Sequence, residues 1–304
     1  MLTTPAHTRG GVCGSGIAIL ADSSCSVPPE VCERYGIRVL PLQVTYLDGS
    51  TYRDRVDIQP AEMYARMPAE MPQTSLPSAT AIHEAVDQAR AEGCDAIVAV
   101  TLGSAYSGTH DLVARILSEQ PDLKTLAIDT GKLDYGAGVA AVMAAKAIEA
   151  GMPFEDLEDH LAHLSEGSGA LVTVTTLDYL IAGGRIGRAK GAIGNLLNVR
   201  PVLGCTPGGL AQIAQARGTK AALKKLVAEA ALRTEGFDRV LARVVHTGSP
   251  DLGEEVARQL REAVPTAEVR VSEASAVIGA HTGPGAVGIC YQGLAAGEPC
   301  SEPW

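Results

Sequence analysis

Aromatic side chains are scarce in this 304-residue chain, which has two Phe, one Trp and eight Tyr. Its core must therefore be built from Ala, Val, Leu and Ile, inside a hydrophobic fraction of 46 %. Nucleotide signatures are missing too. No G-x-x-x-x-G-K-[ST] loop occurs, and no G-x-G-x-x-G follows an expected strand. The glycine-rich run Gly10–Gly16 precedes its strand, the wrong order for a phosphate cradle. The absence of a G-x-S-x-G elbow removes the usual α/β-hydrolase nucleophile. Nothing reaches the roughly 18 uninterrupted apolar residues of a membrane span. Residues 1–16, small and polar, lack the apolar segment of a secretory signal and read as a disordered extension. The seven Cys are scattered and never spaced C-x-x-C. Free thiols in a reducing cytoplasm are therefore expected, with neither a disulfide framework nor a metal site. Positive charge is short as well. A net charge of −10 repels phosphate backbones, and basic residues gather only at Arg185-Arg188-Lys190 and Lys220-Lys224-Lys225, so no nucleic-acid partner is expected.

What is present is an alternation of apolar runs, polar loops and amphipathic stretches. "IAILADSS" (Ile17–Ser24) reads as a buried strand ending in a polar loop, and "VLPLQVTYLDG" (Val39–Gly49) as a strand closing on an Asp-Gly turn. "ATAIHEAVDQARAEGC" (Ala79–Cys94) has helical spacing and a Gly stop. "AIVAVTLGSAYSGT" and "LKTLAIDTGKLDYGAG" repeat the strand-and-loop pattern. The order predicts an α/β fold with two lobes, residues 17–166 around a largely parallel sheet and residues 167–304 around a mixed one, with a ligand in the cleft between. In the second lobe "ALVTVTTLDYLIAGGRIG" runs from strand to helix to a Gly-Gly break, "DLGEEVARQLREAV" is a helix, and "AEVRVSEASAVIGAHTG" reads as strand. His160 and His163, in "FEDLEDHLAHLSEG", read as one solvated helix face and not as metal ligands.

Chemistry concentrates in four hydroxyl-rich loops at expected strand ends: "DSSCSVPPE", "PQTSLPSA", "TLGSAYSGTH" and the "GAHTGPG" run holding His281 and Thr282. Each has an ordinary alternative. Ser78 or Thr80 can cap the next helix, and Ser104–Thr109 the one after it. Four such loops at one sheet edge suggest a shared site.

Taken together, "IAILADSSCSVPPE", "QTSLPS", "LGSAYSGT", "YLIAGGRIGRAKGAIGNLLNVRPVL" and "VIGAHTGPGAVGI" resemble the DegV family of bacterial fatty-acid-binding proteins, over Ile17 to Tyr291. Some of these are the lipid-presenting subunit of a two-component fatty acid kinase. The resemblance implies a DegV-like fold and a long-chain fatty acid as ligand, with no other cofactor. It also implies a separate ATP-dependent kinase as partner, transient contact with a membrane surface, and a cytoplasmic location. It puts the acyl carboxyl on Thr74, a Ser of the "GSAYSG" loop (Ser104 or Ser107, the latter favoured) and His281, with Ser75 and Thr282 beside them. Arg185 falls on the face used by the kinase. Three positions depart from the family pattern: Leu76 for Gln, Gly103 for Ser, and the less basic "QARGTKAA" run.

Elementary chemistry agrees with such a ligand. Hydroxyls and an imidazole can hold a carboxylate, each hydrogen bond to the charged acceptor being worth about 1.5–3 kcal/mol. Burying a 16-carbon chain at about 0.8 kcal/mol per methylene yields on the order of 12 kcal/mol before association costs. Walls of Ala, Val, Leu and Ile suit that chain, and "GAIGNLLNVRPVL" (Gly191–Leu203) is a candidate wall or ordinary core. The competing expectation is an acyl-ester hydrolase with Ser107 as nucleophile, His281 as base and Asp22 as orienter.

Overall fold

Alternate residues of Ile17–Asp22 (β1) face opposite sides of a parallel sheet, so both faces must be covered and the run is apolar almost throughout. The computed structural model describes residues 16–187 and 199–296. Apart from Gly16, the expected extension over residues 1–16 lies outside them, as does the 191–198 part of the candidate wall.

The first sheet orders β2 (Ile37–Leu40), β1, β6 (Ala96–Thr101) and β7 (Lys124–Asp129), all parallel. Ala18 and Leu20 meet α3 (Ala79–Ala91) and α4 (Thr109–Ser118) on one face. Ile19 and Ala21 meet α1 (Pro29–Tyr35) and α5 (Tyr135–Glu149) on the other. Ser78 caps α3 as its ordinary reading expects, its hydroxyl accepting the Ala81 N–H at 3.1 Å.

"VLPLQVTYLDG" is two strands instead of one. Pro41 cannot donate to a ladder, and past it β3 (Gln43–Thr45) joins β4 (Thr51–Arg53) and β5 (Gln73–Ser75) in a separate antiparallel sheet ordered β4-β3-β5. The helix α2 (Pro60–Arg66) lies between β4 and β5 in the chain.

After α6 (Leu157–Glu166) comes the mixed sheet, with β8 (Ser168–Thr173), α7 (Asp178–Ala182), β9 (Val199–Thr206), β10 (Gly209–Arg217) and α8 (Thr219–Arg233). It is completed by β11 (Arg239–His246), α9 (Pro250–Ala263), β12 (Ala267–Glu273), α10 (Ala276–Thr282) and β13 (Val287–Leu294). Strand order is β10-β9-β8-β13-β11-β12, with only β11 and β12 parallel. Helices α8 and α9 cover its outer face through Leu226, Val227, Val256 and Leu260.

Helix α5 is buried almost all round, as its Ala-rich sequence requires. Its residues share one apolar cluster with Ile19 and Val100 of the parallel sheet and with Ala170, Leu241, Val245 and Cys290 of the mixed one. The two sheets are thus joined through a common helix. Cys25, Cys32, Cys205 and Cys290 are free thiols. Cys94 is disulfide-bonded, a pairing that the sequence spacing does not announce.

Candidate functional site

Thr74 and His281, 207 positions apart in the chain, meet with Oγ1 and Nε2 at 2.7 Å. Thr74 is the middle residue of β5, opposite Val44. The period of two that turns Thr74 inward leaves Ser75 exposed on the other side, so Ser75 is not among the groups brought together. His281 lies on α10 and not in a strand or strand-end loop as expected. The segment after Glu273 turns helical because buried Asp54 accepts the Ala276 N–H at 3.1 Å at its start and its small residues let it pack closely. Cβ atoms on Gly279 and Gly283 would lie 2.4 Å from Tyr64 Oη and 2.1 Å from the Tyr179 ring. A Cβ on Gly183 would come within 2.1 Å of His281 Nδ1. These glycines give way to neighbouring aromatic and imidazole groups.

Burial, and secondarily the charge of Arg185, lowers the His281 pKa to about 4. The imidazole is therefore neutral near pH 7, with one N–H to give. Its Nδ1 is buried without a partner among the described residues. An Nε2–H donated to Thr74 Oγ1 frees the threonine O–H to donate onward, and the Thr74–His281 pair then delivers one aimed proton.

A cavity opens beside this pair, lined by the polar residues Thr74, Ser107, His281, Thr282, Arg185 and Ser24 and by the apolar residues Leu42, Leu102, Leu180 and Val277. A second compartment shares Leu133, Leu210, Ile278 and Thr282 with it and is walled by Ala170, Leu171, Val172, Val245 and Ala286.

Ser107 lines the first compartment, with its hydroxyl 2.8 Å from Thr109 Oγ1. Ser104 is exposed and its N–H donates to Asp129 Oδ1, so it stands outside the cavity. Thr282 borders both compartments, but its hydroxyl donates to Ile278 O at 3.0 Å. Arg185 donates from Nε to Tyr106 O at 3.1 Å and from Nη1 to Gly183 O at 2.7 Å. Ser24, from the first of the four hydroxyl-rich loops, lines the cavity too, although the resemblance assigns it no role. Its hydroxyl donates to Asp22 Oδ1 at 2.5 Å, and the paired serines after a strand-final Asp were the available signal. Gly103 has a steric reason, since a Cβ there would sit 2.7 Å from the Gly131 backbone.

The hydrolase arrangement does not assemble. Ser107 pairs with Thr109 and His281 with Thr74. Asp22 is occupied by Ser24 and by the Leu102 N–H at 2.7 Å. Burial raises the Asp22 carboxyl above its ordinary range in spite of those bonds. Among the described residues no cluster of three or more His, Cys, Asp or Glu could hold a metal ion, and no helix is long and apolar enough to cross a membrane.

The family model described as "Uncharacterised protein, DegV family" matches residues 16–293. A DegV domain-containing protein of Clostridium perfringens is 32 % identical over 91 % of this chain and 98 % of its own length. One of Streptomyces coelicolor is 34 % identical over 90 % and 97 %. Among solved structures, a DegV family protein from Thermus thermophilus, described for its fatty acid binding, superposes with a TM-score of 0.85 at 30 % identity, covering 91 % of this chain and 99 % of its own. The Bacillus subtilis fatty-acid-binding DegV superposes with 0.81 at 28 %, over 91 % and 99 %. A stearic-acid-binding protein from Eubacterium ventriosum superposes with 0.82 at 25 %, over 91 % and 98 %.

Proposed function

This chain belongs to the DegV family, and we propose that it binds a long-chain fatty acid, carboxyl at Thr74 and hydrocarbon in the inner compartment. The observation that carries this reading is the gradient along the cavity. Thr74, His281 and Ser107 line the first compartment, and the walls of the second, beyond Leu133 and Ile278, are mainly aliphatic. An acyl chain matches that sequence of surfaces, and a small polar substrate does not. The carboxylate accepts the Thr74 O–H, with His281 holding the threonine oxygen from behind, and Ser107 stands beside it as a further donor. None of these groups needs to change covalently. In this reading the protein is a carrier that performs no chemistry of its own.

The bound carboxyl is then presented to a separate ATP-dependent kinase for acyl phosphate formation. The docking face is assigned to the α7–Arg185 corner, where Ile181 is 44 % exposed and Arg185 is held by two carbonyls next to the headgroup. Transient contact with a membrane surface would let the chain load and unload.

Native mass spectrometry of the gently purified protein tests the central claim. A copurifying fatty acid in one-to-one ratio is expected. Protein that is lipid-free and fails to take up octadecanoic acid overturns the reading.

A further inference from the structure

Asp134 is the exception among the groups around the inner compartment. It lines that space, is 5 % exposed, and caps α5 through Oδ1, which accepts the Tyr135 N–H at 2.7 Å. Its Oδ2 is buried and meets no hydrogen-bond donor among the described residues. The Ser26 hydroxyl is close enough to stabilise the charged Asp134 carboxyl, but it makes its hydrogen bond to Ser24 O, at 3.5 Å, and leaves Oδ2 without one. The backbone at Asp134 takes φ 51° and ψ −132°, a conformation rarely adopted by residues other than glycine.

The compartment's threonines are already engaged. Thr247 donates to Gly283 O at 2.6 Å and accepts the Ala286 N–H at 2.8 Å, and Thr282 donates within its helix. A second polar group stands close by. Arg243 shares a face of β11 with Val245 and pairs in register with Cys290, both wall residues. Its guanidinium lies 5.0 Å from the Tyr135 ring, with Nε and Nη2 buried and unpartnered among the described residues. Its charge acts on the Asp134 carboxyl. A chain of methylenes alone leaves these groups unsatisfied, and an unmade buried hydrogen bond costs more than a made one gains.

We propose that the protein accepts fatty acids carrying a hydroxyl partway along the hydrocarbon, with Asp134 Oδ2 as the acceptor of that hydroxyl. The inference rests on the fatty-acid reading and refines it. Thr74 and His281 fix the carboxyl, and Asp134 sets which group the chain carries at depth. A mid-chain O–H gives Oδ2 its partner.

The test is a binding comparison on the delipidated full chain, with octadecanoic acid and a set of monohydroxylated octadecanoic acids differing in the mid-chain position of the hydroxyl. At least one hydroxy acid is expected to bind as tightly as octadecanoic acid or more tightly. Asp134→Ala is expected to lower the affinity for that acid relative to octadecanoic acid about tenfold. The wild-type comparison does not depend on the variant's folding. Octadecanoic acid held with every hydroxy acid at least about tenfold weaker overturns this inference alone, as does an equal loss for both ligands in Asp134→Ala. Retention of neither acid by the wild type overturns the fatty-acid reading and this one with it.

Discussion

In the proposed headgroup site Thr74 donates to the carboxylate and His281 only orients its hydroxyl, so the two substitutions should differ in kind. Thr74→Val removes the group that meets the carboxylate, and fatty-acid affinity is expected to fall ten- to a hundredfold, about the worth of one hydrogen bond to a charged acceptor. His281→Ala acts through Thr74 and should give a smaller loss at unchanged secondary structure. Isothermal titration with a single fatty acid checks both, and full retention in His281→Ala refutes its part in the headgroup site. The neutral state of His281 also has a pH signature. Its folded pKa of about 4 lies below the unfolded value near 6.5, so the unfolded chain takes up the proton first as pH falls. Stability tied to this residue is intact above pH 6.5 and is lost between there and about pH 4, by about 3 kcal/mol in total. Asp134, pushed up to about 6 by burial, acts in the opposite direction, its contribution being lost as pH rises through 6. The measurement is therefore a difference. The wild type is expected to lose more stability than His281→Gln between pH 6.5 and 4, and parallel curves would contradict it.

At the level of elements, α10 decides whether the site exists. Gly279 within it and Gly283 and Gly285 just after it make room for Tyr64, Tyr179 and Thr175. Gly283 combines a φ of +72° with a Cβ position 2.1 Å from Tyr179. Gly283→Ala should therefore cost about 2–4 kcal/mol, the sum of a strained backbone and an overpacked contact. Gly151→Ala is the matched control. Its φ is +84° with nothing within 4 Å of the added carbon, and it should cost only about 1 kcal/mol. Urea denaturation distinguishes the two, and equal midpoints would show that packing against Tyr179 does not matter. The short strand β5 matters in a different way. Its alternation puts Thr74 at the cavity and Ser75 in solvent, so Ser75→Ala is expected to leave fatty-acid affinity unchanged.

For the whole molecule, lipid binding and the proposed presentation to a kinase should be separable. Arg185→Ala should keep its copurifying lipid, because Arg185 is tied to the carbonyls of Tyr106 and Gly183. It should also slow phosphorylation of that lipid by a fatty acid kinase subunit from the same organism. Unchanged phosphorylation would remove Arg185 from the docking face.

Local chemistry written in the sequence was enough for the α/β alternation, the Ser78 cap, the hydroxyl-rich loops and the resemblance to a fatty-acid-binding family, since apolar period, caps and motif order are all short-range properties. It could not separate Ser107 from Ser104, because both sit in one loop and only packing turns one into a cavity and the other to solvent. Nor could it show that "ASAVIGAHT" is a helix. Glycines and Ala weaken the helical period, and the stabilising partners Asp54, Tyr64 and Tyr179 lie far away in the chain. The buried Asp134 oxygen was invisible for the same reason. Whether a carboxylate is satisfied depends on which groups the fold brings within about 3 Å of it, and that is decided only when α5, β11 and α10 close around one space.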